Sequence, residues 1–514
     1  MLVRSRRVPR KRMVILLRSQ HVPRPIEWSL VVLTALAACN RNEPADTLIA
    51  GVPDKLLDPA TCQECHPDHY REWLGSMHAY AADDPVFLAM NARGQRETGG
   101  ALGDFCIKCH APLAVELGLT TDGLNLDEVP KELQGVTCYF CHTVASVEGT
   151  HNNPLTLTGN GTMLGAVRDP VDNDAHQSAY SPFVDSLTME SGAMCGACHD
   201  IVNPQGVHLE RTYDEWLDSF MSDTDPLSGA PAAYGLRCAS CHMGPGELGP
   251  IADVAGVRAD RFRHPHLMVG TDVALTPWPD AAQADALAAE QLEAIEFQRK
   301  SALCATVCVN PDPADADQVQ VDVWLHNEFS AHSWPSGATQ DRRAWLELHA
   351  YDGETEVLAT GVLAADRALT DLEVEDALLW QFRDRIFDGQ GEEVHMFWEA
   401  ESGTSELLPA SGILSPEGDA STWRARRFTA SAANVDRVTT ALHLRPVGLD
   451  VMDSLIDSGD LDASFRDKIP TFDVEPTVLE WTPGVAVEYD GYGRCVNSSD
   501  SCGAVVVGAA LPAD

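Results

Sequence analysis

From residue 318 the chain alternates. In Gln318-Val-Gln-Val-Asp-Val-Trp-Leu-His326 apolar side chains fall on every second position, the period of a strand with one buried face. Trp345-Leu-Glu-Leu-His-Ala-Tyr351, then Asp352-Gly353, then Glu356-Val-Leu-Ala-Thr-Gly361 predicts a hairpin that turns at the Asp-Gly pair. Val394-His-Met-Phe-Trp398 and Val438-Thr-Thr-Ala-Leu-His-Leu444 add strands, and Met452 to Ser458 is the one convincing helix among them. Residues 316–490 therefore read as a β-sandwich. Before Pro311-Asp-Pro313 the texture is different. Short helices are expected around Tyr70 to Tyr80 and Tyr213 to Phe220, and a longer one over Ala281 to Ala302, with Leu287, Leu292, Ile295 and Phe297 broadly on one face.

The fold class is thus α+β, a mostly helical first region followed by a strand-rich second one. Residues 1–38 read as an export signal: basic residues lead into the apolar run Trp28-Ser-Leu-Val-Val-Leu-Thr-Ala-Leu-Ala-Ala38, too short to span a bilayer as a helix. Met13 offers an alternative start. Residues 39–58 are polar and patternless, a tether; 59–303 form the helical region and 491–514 a tail.

Charge sharpens the picture. There are 36 basic and 77 acidic residues, a formal charge of −41, and eight of the basic ones precede residue 39. Such a surface repels nucleic acid and anionic lipid and attracts a basic protein partner, although it also serves plain solubility.

Cysteine spacing supplies the chemistry. The chain carries Cys62-Gln-Glu-Cys65-His66, Cys106-Ile-Lys-Cys109-His110, Cys138-Tyr-Phe-Cys141-His142, Cys195-Gly-Ala-Cys198-His199 and Cys238-Ala-Ser-Cys241-His242. Cys-x-x-Cys-His is the attachment motif of c-type haem. Two thiols add to the two vinyl groups of one porphyrin, and the adjacent His swings beneath the ring as an iron ligand. Zinc needs two pairs per metal, so ten paired cysteines leave one pair over and no reason for a His after every second Cys. A redox dithiol does not recur five times in one chain. Five motifs between residues 62 and 242 leave no room for a large core of side chains, so the porphyrins themselves must form it. Of the remaining cysteines, Cys304 with Cys308 and Cys495 with Cys502 are close pairs in an exported chain and are expected to form disulfides. Cys304 to Cys308 is not a sixth haem motif, because Val309 stands where the His belongs.

Three resemblances follow from particular residues. Leu36-Ala37-Ala38-Cys39 resembles the bacterial lipobox, which implies acylation of Cys39, stable anchoring by two or three chains and, with Asn40 next, sorting to the outer membrane. The phrase Cys62-x-x-Cys65-His66 followed by Tyr70-x-x-Trp73-x-x-Ser76-x-His78-Ala79 resembles the opening of the tetrahaem cytochromes that accept electrons from hydroxylamine oxidoreductase. Matching phrases are Gly135-Val136-Thr-Cys138, His176-x-Ser178-x-Tyr180-Ser181, Arg211-Thr-Tyr-Asp-Glu-Trp216 and Cys241-His242-Met243, a likeness over about residues 59–275. Ala331-His332-Ser-Trp-Pro-Ser-Gly337, with Arg342-Arg343-x-Trp345 after it, resembles a β-domain that often follows this haem region. The departure is the count, five motifs against the four of the type members.

The motifs provide the proximal ligands His66, His110, His142, His199 and His242. His78 and His176 are the distal candidates that match the family's phrases. One or both of His264 and His266, flanking Pro265, join them, and His332 is a further candidate. His69, His151 and His208 read as surface or hydrogen-bonded residues. Met77, Met243 and Met268 are thioether alternatives, which would raise the potential where paired histidines hold it low. Two functions compete. One is a carrier passing electrons through five covalent haems at the outer membrane or in the periplasm, between redox partner proteins. The other is an oxidoreductase acting on a small nitrogen or sulfur compound at one open haem. The family resemblance implies that an open haem need not be enzymatic.

Overall fold

The alternation downstream of residue 316 becomes two antiparallel sheets. In the computed structural model, strand Val319–Asn327 lies between Leu303–Pro311 and Trp423–Ala430. A larger sheet orders Thr355–Thr360, Arg343–Asp352, Arg437–Arg445 and Phe472–Asp473, with Trp380–Phe382 and Leu479–Trp481 added at its sides. Val321, Val323 and Leu325 from one sheet meet Leu346, Leu348 and Leu442 from the other in one buried core, as a sandwich requires. The expected hairpin is present, and Gly353 at φ +60 makes the turn.

The structure describes residues 48–49, 51–219, 221–222, 235–244, 246–327, 329–411, 423–484, 488–489 and 495–496. The export signal, Cys39 and Cys502 lie outside the described residues. Within the described residues no helix is long and apolar enough to cross a membrane.

Several local expectations are corrected. Residues 39–58 are not tether throughout: Val52, Leu56 and Leu57 are buried in the core of the first region, and Asp54–Leu56 is a short 3-10 helix. Tyr70 to Tyr80 is two helices, Pro67–Leu74 and Met77–Tyr80, divided at Gly75 and Ser76. The long helix runs Ala284–Ala302 and passes straight into the first strand. Its buried stripe is Leu287, Gln291 and Ile295, an i, i+4 row, whereas Leu292 and Phe297 are exposed. Val394 to Trp398 is a strand only at Glu393–Val394. Met396 and Trp398 instead share a buried cluster with Val86, Ala89 and Leu102 of the first region. A helix at Leu369–Glu375 was not expected, and the expected 452–458 helix spans Leu449–Asp457.

The cysteine pairing is also corrected. Cys304 and Cys308 are both disulfide-bonded, but both lie on the extended strand Leu303–Pro311. Four residues of strand separate their Cα atoms by about 13 Å, where a disulfide tolerates about 7 Å at most. They therefore do not bond to each other. Strand Cys495–Val496 packs beside Leu303–Pro311, so the C-terminal segment reaches the same strand.

Candidate haem-binding site

All fifteen motif residues line one cavity of 1940 Å³, whose wall also takes His332, Asp341 and Arg342 of the strand-rich region. Each motif sits on a short turn of helix, as in Ile107–His110, Cys138–Cys141 and Cys238–His242. One turn places both thiols and the following imidazole on the same side. Cross-motif neighbours are not consecutive in sequence. The Cys62 thiol meets Cys138, Cys109 meets Cys198, and Cys195 meets Cys238. Motif one therefore adjoins motif three, and motif four adjoins both two and five. Burial pushes the thiols of Cys106 and Cys141 up to about 12 and about 11, the opposite of what an activated dithiol requires.

Seven of the candidate histidines hold Nδ1 on a backbone carbonyl. His66, His110, His142 and His242 each hold Nδ1 on a backbone carbonyl, of Ile251 (2.8 Å), Ala81 (3.0 Å), Leu164 (2.6 Å) and Val269 (2.5 Å) respectively. His266 and His332 do the same with His264 (3.0 Å) and Ser333 (3.0 Å), and His176 with Gln177 (3.1 Å). A ring that donates from Nδ1 presents its Nε2 lone pair outward. Burial, reinforced by neighbouring imidazoles, lowers the pKa of His199 to about 4 and of His78 to about 3. Both are neutral at physiological pH, the form that ligates.

Four ring pairs stand out. Centroids are 6.5 Å apart for His66 and His176, 6.2 Å for His142 and His266, 6.2 Å for His242 and His332, and 6.0 Å for His199 and His78. Two imidazoles on opposite sides of one metal, with metal–nitrogen bonds of about 2 Å, separate their centroids by roughly 6.3 Å. The spacing fits an iron between each pair. His110 differs. Its ring lies flat against Phe87, 3.9 Å between centroids and 4° between planes, and among the described residues no histidine ring faces it.

Local chemistry holds His78, His266 and His332 in place. Ser76 caps helix Met77–Tyr80, which carries His78; the Ala79 N–H donates to its Oγ. Gly135, at φ +70, approaches so closely that a Cβ would lie 2.7 Å from the Ala79 carbonyl oxygen. That approach lets the Val136 N–H donate to the His78 carbonyl (2.8 Å), while Trp73 Nε1–H donates to the Val136 carbonyl (2.8 Å). Buried Glu72 accepts from the His266 N–H (2.9 Å) and pairs with Arg263 (2.8 Å). The His332 loop comes from the strand-rich region and is clamped by helix Thr212–Leu217. Glu215 accepts from the Ser333 N–H (2.9 Å), and the Thr212 and Ser336 hydroxyls bond (2.8 Å).

His264 lines the cavity too, but its Nε2 bonds the Ser186 hydroxyl (3.2 Å), and among the described residues its ring pairs with no motif histidine. His69 is not a surface residue, since its ring packs edge-on against His66 and His266 inside the cavity. His208 is paired with Asp200, and exposed His151 bonds Thr150. Met77, Met243 and Met268 all line the cavity, and Met268 Sδ lies against His78 Nδ1. Phe87 went unnoticed in the sequence. Only Asp84-Pro85 ahead of an apolar run, the start of helix Pro85–Glu97, could have pointed to it.

Residues 61–143, which hold the first three motifs, match the family model described as cytochrome c554 and c-prime. The chain is similar in structure to a penta-heme cytochrome c552 from Thermochromatium tepidum. The TM-score is 0.54 at 21% identity, covering 83% of this chain and 98% of that one. No curated protein matches the chain. At that identity the structural likeness speaks for fold alone; together with the motifs, the two findings support a multihaem c-type cytochrome.

Proposed function

We propose that this chain carries electrons through five covalently bound haems, in the manner of the tetrahaem cytochromes it resembles but with one site more. A haem held at each motif supplies reversible one-electron transfer between ferric and ferrous iron. The protein's part is to hold and insulate. The motif cysteines would tether the haems and the motif histidines would ligate them, with His176, His266, His78 and His332 as the second histidine at motifs one, three, four and five. The observation that carries this reading is the set of four imidazole pairs 6.0–6.5 Å apart. An iron ligated on both faces has no position for substrate, which suits transfer over catalysis.

The thiol contacts support a connected route, one to three and two to four to five, with Cys141 of motif three close to Cys195 and Cys198 of motif four. A second reading, an oxidoreductase working on a small nitrogen or sulfur compound, is favoured by one observation: Phe87 lies against His110, and among the described residues no histidine ring faces it. Electron paramagnetic resonance and carbon monoxide binding test both readings. Four low-spin sites and one high-spin, carbon monoxide-binding site are expected. His78→Ala and His176→Ala should each convert one low-spin signal to high spin, and a variant that leaves the signals unchanged removes that residue from the ligand set.

The same proposal places the protein outside the cytoplasm, anchored by an acylated Cys39 to the outer membrane, where its acidic surface meets a basic redox partner. Cys39→Ala should release the protein from the membrane fraction. Mass spectrometry of the mature chain should give five haems.

A further inference from the structure

Where strand His208–Glu210, the stretch after the fifth motif and the turn before strand Arg343–Asp352 meet, the cavity wall carries three carboxylates and one guanidinium. Glu210, Asp272, Asp341 and Arg342 line the same cavity as His199, His242 and His332. Arg342 is committed to Asp272. Its Nη2 reaches Oδ2 at 2.9 Å and its Nη1 reaches Oδ1 at 3.1 Å, with Thr271 Oγ1 (2.8 Å) and the Ser336 carbonyl (2.7 Å) taking other donors. Arg343 from the same turn is committed to Asp450 of helix Leu449–Asp457. Asp200 on the strand's side is matched by His208. Among the described residues, Asp341 and Glu210 form no ion pair of their own. Asp341 Oδ1 is buried with no hydrogen-bond partner, and its other oxygen takes only a 3.3 Å bond from Gln340. Glu210 lines the cavity, and the cation that acts on it is the Arg342 that Asp272 already holds.

We propose that Glu210 and Asp341 form a proton-uptake site coupled to the redox state of the motif-four and motif-five centres. The inference rests on reading those motifs as electron-transfer sites. When an electron from a reductant arrives there, the local charge falls by one, and a proton from water adds to a carboxylate oxygen of the pair. On oxidation the proton returns to water. No other bond forms or breaks. The electrostatic link is direct, since the Arg342 that sits among these acids also acts on the His199 ring. Withdrawal from bulk water already raises Glu210 to about 7 and Asp341 to about 6, so the pair is poised to change protonation near neutrality. With both acids protonated at low pH, and both ionised at high pH, proton and electron are uncoupled. Between those limits the potential must fall as pH rises.

Potentiometric titration of the holoprotein with dithionite across pH 5 to 9 tests this, followed by haem absorbance. For wild type, at least one component should have a midpoint that falls with rising pH through the window around neutrality. Glu210→Gln and Asp341→Asn should each flatten that dependence and hold the midpoint near its low-pH value. Reduced-minus-oxidised infrared spectra of the wild type should show a protonated-carboxyl band that either substitution removes, a readout that stands even if one variant does not accumulate. A slope that survives both substitutions, or a wild-type difference spectrum without the carboxyl band, overturns the proposal and assigns any proton uptake to haem propionates. Absence of any reducible haem band instead overturns the reading of the motifs.

Discussion

The strand-rich region and the haem-motif region are built on different principles. From Leu303 to Trp481 the chain buries Val321, Leu346, Phe382, Phe428 and their neighbours against one another, a core made of side chains alone. From Val52 to Leu275 the side-chain cores are smaller, and one of them is completed only by Met396, Trp398 and Met452 of the other region. Between them lies the cavity lined by every motif residue. The first kind of region can fold on the hydrophobic effect of its own sequence. The second needs a filler that the sequence does not encode as amino acids.

The most severe test is removal of one attachment point. In a host that matures haem proteins, Cys138→Ala with Cys141→Ala should strip hydrogen-exchange protection from helices Pro67–Leu74 and Cys138–Cys141. Strands Val319–Asn327, Arg343–Asp352 and Arg437–Arg445 should keep most of theirs. Simultaneous loss in both regions would break the distinction.

Within the strand-rich region the polar group to test is Arg343. It is fully buried and bonds Asp450, the Gln340 carbonyl (2.8 Å) and the Arg342 carbonyl (2.8 Å). Arg343→Ala leaves Asp450 as an uncompensated buried charge and should cost about 3–5 kcal/mol in urea denaturation. Cys304→Ala should cost about 2–5 kcal/mol. Non-reducing peptide mapping should join the Leu303–Pro311 peptide to another segment, and a closed Cys304–Cys308 loop would refute the strand geometry. At the junction of the regions, Ile295→Val removes one methyl from a fully buried site and should cost about 0.5–1.5 kcal/mol.

The smallest effect is a pH dependence on the outer face of the large sheet. Burial works against protonation of His443, but its hydrogen bond to Asp473 (2.8 Å) and the Glu347 carboxylate 3.5 Å away outweigh it and raise its pKa above the ordinary 6.5. A raised value means stability that is complete below the unfolded histidine's pKa and lost as pH rises through the folded one. His443→Gln should therefore cost less than about 1 kcal/mol at pH 5.5 and nothing measurable at pH 8.5. An equal cost at both values would point to packing instead.

Legibility in the sequence followed the range of the interaction. Strand alternation and the Asp352-Gly353 turn were readable because each is decided within a few residues. The helix face at Leu287 was readable only in part, since Phe297 is apolar yet exposed on the face away from Ile295. The disulfide pairing misled because nearness in sequence is not nearness in space once Cys304 and Cys308 are stretched along a strand. His264 and His266 could not be told apart by spacing. Glu72 and Ser186, both distant in sequence, engage the two differently.

By itself the sequence determined the five Cys-x-x-Cys-His motifs, because two thiols and an imidazole on one helical turn are a local matter. It also determined that the second region would be sheet, because alternation with period two is a local matter as well. Only the tertiary structure decided which histidine stands opposite which: His176 against His66, His266 against His142, His78 against His199 and His332 against His242. It alone set Phe87, not an imidazole, against His110. The physical reason is that a facing ring is selected by a separation of a few ångströms in space, and a chain that folds back on itself brings such neighbours from any distance along its length.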